Sequence, residues 1–242
     1  MEVLAGTSGY SYKEWKGAFY PERLPAGEML RFYAGCFRTV EINNTFYRMP
    51  AENMLAHWAE QVPAEFAFAL KAPRRITHEK RLRDAESDVA AFLQRSAALG
   101  PKLGTILFQL PPFLKKDLPR LEDFLRLLPP DPPVAFEFRN ASWRDDAVHD
   151  ALRSRAAMIC IADTDEGETP LVSTAASGYL RLRRVQYDDR DLRAWAERIA
   201  AQPWTRAYVY FKHEDGALGT RFARRFTELW RALRGDPPPQ NE

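Results

Sequence analysis

The sequence is short of most features that betray a protein's role. Two cysteines in 242 residues, Cys36 and Cys160, cannot build a disulfide framework, and no CxxC pair occurs. Both stand in apolar stretches, YAGCF and MICIA, which predicts buried, reduced thiols. Charge of one sign is missing: 35 Lys and Arg against 33 Asp and Glu leave +2, so bulk charge selects no partner. The 12 glycines are outnumbered by 18 prolines, which excludes a glycine-rich low-complexity chain. The longest unbroken apolar run, Ala156 to Ala162, falls far below the ~18 residues that span a bilayer, so no membrane partner is expected. No basic stretch leads into a hydrophobic region behind Met1, so no signal peptide is read, and a reducing cytoplasm is the expected location.

Catalytic and cofactor motifs are equally scarce. The first turn reads GTSGYS and lacks GxGxxG, and GxxxxGK[ST], GxSxG and HExxH do not occur. The four histidines, His57, His78, His149 and His213, are scattered, so neither a metal centre nor any cofactor is expected. His57 and His149 fall in helical stretches and read as surface residues, whereas His78 and His213 lie on loops beyond strand ends.

What is present is a core and a rhythm. Hydrophobic residues make up 45% and aromatic residues 12%, enough to exclude disorder. Eight short β-branched or aromatic segments recur at intervals of roughly 20–40 residues, the size of a βα unit. They are VLAGT, TVEIN, FAFALK, TILFQL, VAFEFR, MICIAD, YLRLR and YVYFK, beginning at Val3, Thr39, Phe66, Thr105, Val134, Met158, Tyr179 and Tyr208. Helical spacing connects Leu118, Leu121, Phe124, Leu125 and Leu128, then Leu192, Trp195, Ala196 and Ile199, then Phe222, Phe226, Leu229, Trp230 and Leu233. Asp84 reads as the N-cap of a helix carrying Val89, Phe92, Leu93 and Leu99. The pattern predicts an α/β fold, a (β/α)8 TIM barrel over residues 1–235, with a frayed tail over 236–242. The segment DTDEGETPLVSTAAS has little helical periodicity, so the sixth helix is expected to be short or missing.

Barrel strands are covered on both faces and should be apolar throughout, yet these carry polar residues near their C-terminal ends. Glu41 and Asn43 alternate with Val40 and Ile42, Lys71 follows Ala67 and Ala69, and Glu137 and Arg139 alternate with Phe136 and Phe138. Arg181 and Arg183 alternate with Leu180 and Leu182, and Gln109, Asp163 and Lys212 complete the set. The apolar partners should face the helices, which turns the polar set into the barrel mouth, the face that carries barrel active sites. Among them Lys71, Arg139, Arg181, Arg183 and Lys212 outnumber Glu41, Glu137 and Asp163, a balance suited to phosphate or carboxylate. The loop after the third strand adds Arg74, Arg75, Lys80, Arg81 and Arg83. Aromatics gather at the same end: Tyr10, Tyr12, Trp15, Phe19 and Tyr20, then Phe46 and Tyr47, then Phe113 and Trp143. Most of these are expected to pack loops, and a few to stack on a ring.

Taken in order, the segments GTSGYSYKEWKGAFYP, VEINNTFYRMP, FALKAPRRITH, ILFQLPP, FEFRNASW and IADT resemble the YecE-like family, domain of unknown function 72. The resemblance covers almost the whole chain and implies a TIM barrel. It carries the family's recurring polar positions onto Glu41, Asn44, Thr45, Tyr47, Lys71, Thr77, His78, Gln109, Glu137, Arg139 and Asp163. Departures are RLRR in the seventh strand, where relatives often show RLHG, and Lys212 and His213 where they often show paired Asn.

The reading that results favours an enzyme acting on a small anionic, phosphorylated or carboxylated, metabolite. Glu41, Lys71 and Glu137 are its acid–base candidates. Asn43, Asn44, Tyr47, His78, Gln109, Arg139, Asp163, Arg181, Arg183 and Lys212 are its substrate-binding candidates. Hydrolysis, isomerisation and lyase chemistry stay open, and nothing in the sequence marks the Lys71 amine as desolvated for Schiff-base chemistry. The alternative is a nucleic-acid-binding or phosphodiester-processing barrel gripping phosphates with the basic third loop. The small net charge and a pI near 8.5 disfavour it.

Overall fold

The computed structural model describes residues 1–212 and 215–235; His213 and the expected frayed tail lie outside the described residues. Eight parallel strands form the barrel wall: β1 (Glu2–Thr7), β2 (Thr39–Ile42), β3 (Ala67–Lys71), β4 (Leu103–Leu110), β5 (Val134–Phe138), β6 (Met158–Thr164), β8 (Ser177–Leu182) and β9 (Arg206–Phe211). Their lateral order is β1-β9-β8-β6-β5-β4-β3-β2, and a two-residue antiparallel strand, β7 (Gly167–Glu168), folds back on β6. All eight predicted strands are present. Around them stand the helices α1 (Met29–Ala34), α2 (Asn44–Tyr47), α3 (Glu52–Glu60), α4 (Glu86–Ser96), α5 (Leu118–Leu127), α6 (Asp146–Ser154), α7 (Asp189–Ala200) and α8 (Leu218–Arg234).

Period-two alternation sorts each strand between two apolar masses. Phe68, Leu70, Ile106, Phe108, Phe136, Ile159, Ile161 and Leu180 pack outward beneath the helices. Ala67, Ala69, Leu107, Ala135, Met158, Cys160, Tyr179, Tyr208 and Tyr210 fill the interior. The small alanines of β3 and β5 face large tyrosines of β8 and β9, whose hydroxyls reach across. Tyr208 donates to the Gly104 carbonyl at 3.0 Å, and Tyr210 bonds the Thr39 hydroxyl at 2.7 Å.

The seam between β1 and β2 is bridged by a side chain. The Tyr33 hydroxyl, from α1, accepts the Thr7 N–H at 2.8 Å and donates to the Thr39 carbonyl at 3.1 Å. Gly6 makes this approach feasible, since a Cβ there would lie 2.2 Å from the Thr39 carbonyl oxygen. Beyond it, Ser8 bridges to Glu41 and the Gly9 N–H reaches the Glu41 carbonyl at 2.7 Å.

Helix starts follow sequence chemistry in three cases. Asp117 and Asp145 cap α5 and α6, and Asp188 with Asp191 forms a reciprocal capping box on α7. The cap expected from sequence fails: Asp84 adopts φ 47°, and α4 starts at Glu86 after an Ala85 cap that offers no side-chain bond. No helix lies between β6 and β8 among the described residues. The connection instead packs Leu171 and Val172 on the core and ties Thr174 to Ala157 and Ile159. Cys160 is buried as expected, but Cys36 is exposed. His149 is half-buried rather than on the open surface, and Leu233 is exposed despite its helical register.

Candidate functional site at the barrel mouth

The inward phase that fills the barrel continues at its C-terminal end with charge. On β8, Tyr179 and Arg181 occupy the interior face. The Arg181 guanidinium spans the barrel, donating from Nη2 to Glu41 on β2 at 2.8 Å and from Nη1 to Glu137 on β5 at 2.6 Å. Tyr179 donates to the other Glu41 oxygen at 2.6 Å, and Asn43 approaches Glu41 at 3.3 Å. Gln109 on β4 donates to Glu137 at 2.8 Å, and Arg139 reaches it at 3.2 Å. Glu41, Glu137 and Arg181 are 0%, 4% and 1% exposed. Burial pushes both carboxyls up, but the Arg181 charge and their hydrogen bonds outweigh it and hold both below the usual glutamate range. Both are therefore ionised carboxylates at neutral pH, and neither is poised as a general acid.

This network is a floor rather than a plug, because a cavity of about 610 Å³ stands above it. Its lining passes from Pro112 after β4, through Glu137 on β5 and Arg139 just past its end, then Ala162 and Thr164 on β6, to Arg183 and Lys212 beyond β8 and β9. Arg144 adds a further cation, and Asp165 and Glu166 add acids from the helix-free connection. Arg183 is half-buried, and no hydrogen bond or ion pair engages its guanidinium among the described residues. Burial and the neighbouring Arg181 charge both act against its own charge.

A second cluster stands on β3, one strand outside the cavity lining. The Lys71 ammonium sits 3.9 Å from the centroid of the Phe46 ring and pairs with no carboxylate among the described residues. Burial, then the Arg181 charge, push the amine down to about 8 against the pull of Glu41 and Glu137. His78 packs edge-on against Phe46 with centroids 4.9 Å apart and its Nδ1 bonds the Thr77 hydroxyl at 2.9 Å. Burial, followed by the Lys71 and Arg139 charges, holds His78 down at about 4, so it is neutral at physiological pH. His78 belongs to a single π-helical turn, Arg75–Glu79, not to an open loop.

Thus Glu41, Asn43, Gln109, Glu137, Arg139 and Arg181 meet in one bonded network, Arg183 and Lys212 join its open side, and Lys71 and His78 flank it. Asn44 lines a separate crevice with Tyr10, Tyr12 and Trp58, and Tyr47 is 78% exposed at the rim. Asp163 does not belong. It shares its face with Ile159 and Ile161, so it points beneath the helices, where it accepts from Trp195 at 2.9 Å, Tyr187 at 3.0 Å and Arg184 at 2.9 Å. Ala162 takes the inward place. Of the aromatics, Trp15, Tyr20 and Trp143 are core, whereas Phe113 stays 61% exposed with Arg81 over its ring. Sequence reasoning missed Tyr179, although the alternation in YLRLR places it on the face of Arg181. It also missed Arg144, Asp165 and Glu166, for which spacing gives no signal.

The pattern of the family described as "Protein of unknown function DUF72" matches residues 4–242. Over 115 residues the chain is 37% identical to the UPF0759 protein YecE of Escherichia coli, spanning 47% of this chain but only 42% of that protein's length. It is 24% identical over 231 residues to the UPF0759 protein YunF of Bacillus subtilis, covering 89% of this chain and 80% of YunF. Among solved structures, a DUF72 family protein from Thermotoga maritima superposes with a TM-score of 0.84 at 25% identity, over 95% of this chain and 99% of that one. A DUF72 family protein from Enterococcus faecalis gives 0.81 at 20% identity, over 99% and 100%, and shows the shared fold.

Proposed function

This chain belongs to the DUF72 family, and within that frame we propose that its barrel mouth is the active site of an enzyme acting on a small phosphorylated or carboxylated metabolite. One observation carries the reading. Arg183 brings a half-buried cation without an acid partner into a cavity whose floor carboxylate, Glu137, is already committed to Arg181. An unpaired charge held away from water is costly, and an incoming anion would relieve that cost. Arg139, Arg144 and Lys212 line the same space, and its volume suits a metabolite of small-ligand size, within the usual ~300–1,000 Å³. Glu41 acts at one remove, positioning Arg181, which in turn orients Glu137.

The nucleic-acid alternative is weaker because four of the five basic residues of the third loop lie in local pairs. Arg75 and Lys80 each lie 2.7 Å from Asp88, Arg74 3.8 Å from Glu79, and Arg83 3.6 Å from Asp117.

Thermal shift in low-salt buffer tests the reading. Inorganic phosphate and phosphorylated three- to six-carbon compounds should raise Tm in a saturable way, reaching ~2.7 kcal/mol of stabilisation at a hundred times Kd. Arg183→Ala and Arg139→Ala should abolish that response. Blank anion screens, together with DNA or RNA retention that falls on Arg74→Ala and Arg75→Ala, would overturn it.

A further inference from the structure

Among the described residues every cation of the mouth is an arginine except Lys71 and Lys212, and the chain contains only eight lysines in all. A guanidinium cannot shed its proton at physiological pH, whereas a lysine amine can, and only the neutral amine attacks carbon. Three features of its surroundings single out Lys71. Its stem is buried at the end of β3, leaving 9% of the residue exposed. Its nitrogen rests on the Phe46 ring face, not beside a carboxylate. The two glutamates near enough to influence it are each already bonded to Arg181. The backbone beneath is fixed as well, since Thr45 donates its hydroxyl to the Lys71 carbonyl at 2.6 Å.

We propose that Lys71, which flanks the cavity rather than lining it, is a Schiff-base lysine and that the substrate of this mouth is a phosphorylated aldehyde or ketone, its phosphate held by Arg139 and Arg183 in the cavity while its carbonyl end extends beyond the lining to the Lys71 nitrogen. This rests on the anion reading above and narrows it from an open reaction class to lyase or isomerase chemistry. The neutral amine adds to the carbonyl, forming a C–N bond as the C=O π bond breaks and a proton moves to oxygen. The carbinolamine then takes one proton from solvent and expels its hydroxyl as water. The product is an iminium, so amine, carbonyl compound and one proton give iminium and one water. The iminium withdraws electrons from the adjacent carbon, which is what makes cleavage or proton transfer there feasible. An amine held at about 8 offers roughly two-hundredfold more of its neutral form near pH 7.5 than an ordinary lysine.

The test uses the whole protein with glycolaldehyde phosphate and, separately, glycolaldehyde, each with cyanoborohydride, followed by intact mass and peptide mapping. The expected result is a single reduced adduct at Lys71 with the phosphorylated aldehyde. Labelling there should fall at least tenfold with glycolaldehyde, and at least tenfold with the phosphorylated aldehyde on Arg139→Ala. Lys71→Arg keeps a cation on the Phe46 ring and should lose the adduct while retaining phosphate-induced stabilisation. Adducts confined to exposed lysines such as Lys13 and Lys16 would overturn the proposal. If glycolaldehyde phosphate still raised Tm in an Arg183-dependent way, the Schiff base alone would fall. If it did not, the anion reading would fall with it.

Discussion

Replacing Arg181 by methionine isolates the physics of the floor. The substitution preserves much of the volume but strands Glu41 and Glu137, two buried carboxylates whose shared cation lies 2.8 and 2.6 Å away. Breaking a buried pair costs about 3–5 kcal/mol, a large share of the ~5–15 kcal/mol that a native domain has in total. The sign of the pH dependence should also invert. In the native protein both glutamates sit below the ordinary value of 4.5. Their contribution is therefore fully present above that value and is lost only as pH falls through the depressed folded pKa. Without Arg181, burial dominates and both folded pKa values rise. Stability is then greatest below about 4.5 and is lost as pH climbs toward the new folded values, at up to ~1.4 kcal/mol per pH unit for each carboxylate. Urea denaturation followed by tryptophan fluorescence at pH 8, 7, 6 and 5, taken as the difference from wild type, reads this directly. Arg181→Met should gain on acidification relative to wild type, and adding Glu41→Gln and Glu137→Gln should recover most of the loss at pH 8. A loss below about 1 kcal/mol at pH 8, or a difference that widens on acidification, would refute the reasoning.

Tyr33→Phe leaves the buried Thr7 N–H and Thr39 carbonyl without their bridge and should cost about 1–3 kcal/mol by chemical denaturation. Gly6→Ala, which drives a methyl onto the Thr39 oxygen, should destabilise further and show as a lower Tm. Asp163→Asn should lower Tm by disturbing the bonds to Arg184, Tyr187 and Trp195, yet leave the phosphate-induced stabilisation unchanged. A lost phosphate response there would return Asp163 to the site. Asp188→Ala removes the reciprocal cap on α7 and should cost about 0.5–2 kcal/mol, measurable as a shifted urea midpoint with an unchanged slope.

The strands were legible because barrel walls need short apolar segments at regular spacing, and charges interrupting such segments must be paired or useful. Lys71, Glu137 and Arg139 followed from that logic, each alternating with outward phenylalanine or leucine. The same rule applied strictly to MICIAD would have moved Asp163 outward, since its partners at period two are Ile159 and Ile161. In this strand phase, not polarity near the strand end, fixes the side a residue takes. Arg181 was legible as inward but not as spent, because which carboxylates it meets depends on strands more than 40 residues apart in sequence. Asp165 and Glu166 lie in a connection without periodicity, and only the completed ring shows that it overhangs the mouth. Asp84 failed as a cap because its backbone turns left-handed just before the helix, a choice made by the preceding turn.

The lateral order has a further meaning for synthesis. β1 finds its ladder partner in β9, with Glu2 opposite Arg206, about two hundred positions later along the chain. Towards β2, its nearer neighbour in time, it has the Tyr33 hydroxyl and a single bridge. During translation the leading strand must therefore wait, laced on one flank and open on the other, until the final βα unit emerges. The ring completes in one late, long-range event, and the first barrel strand made is among the last secured.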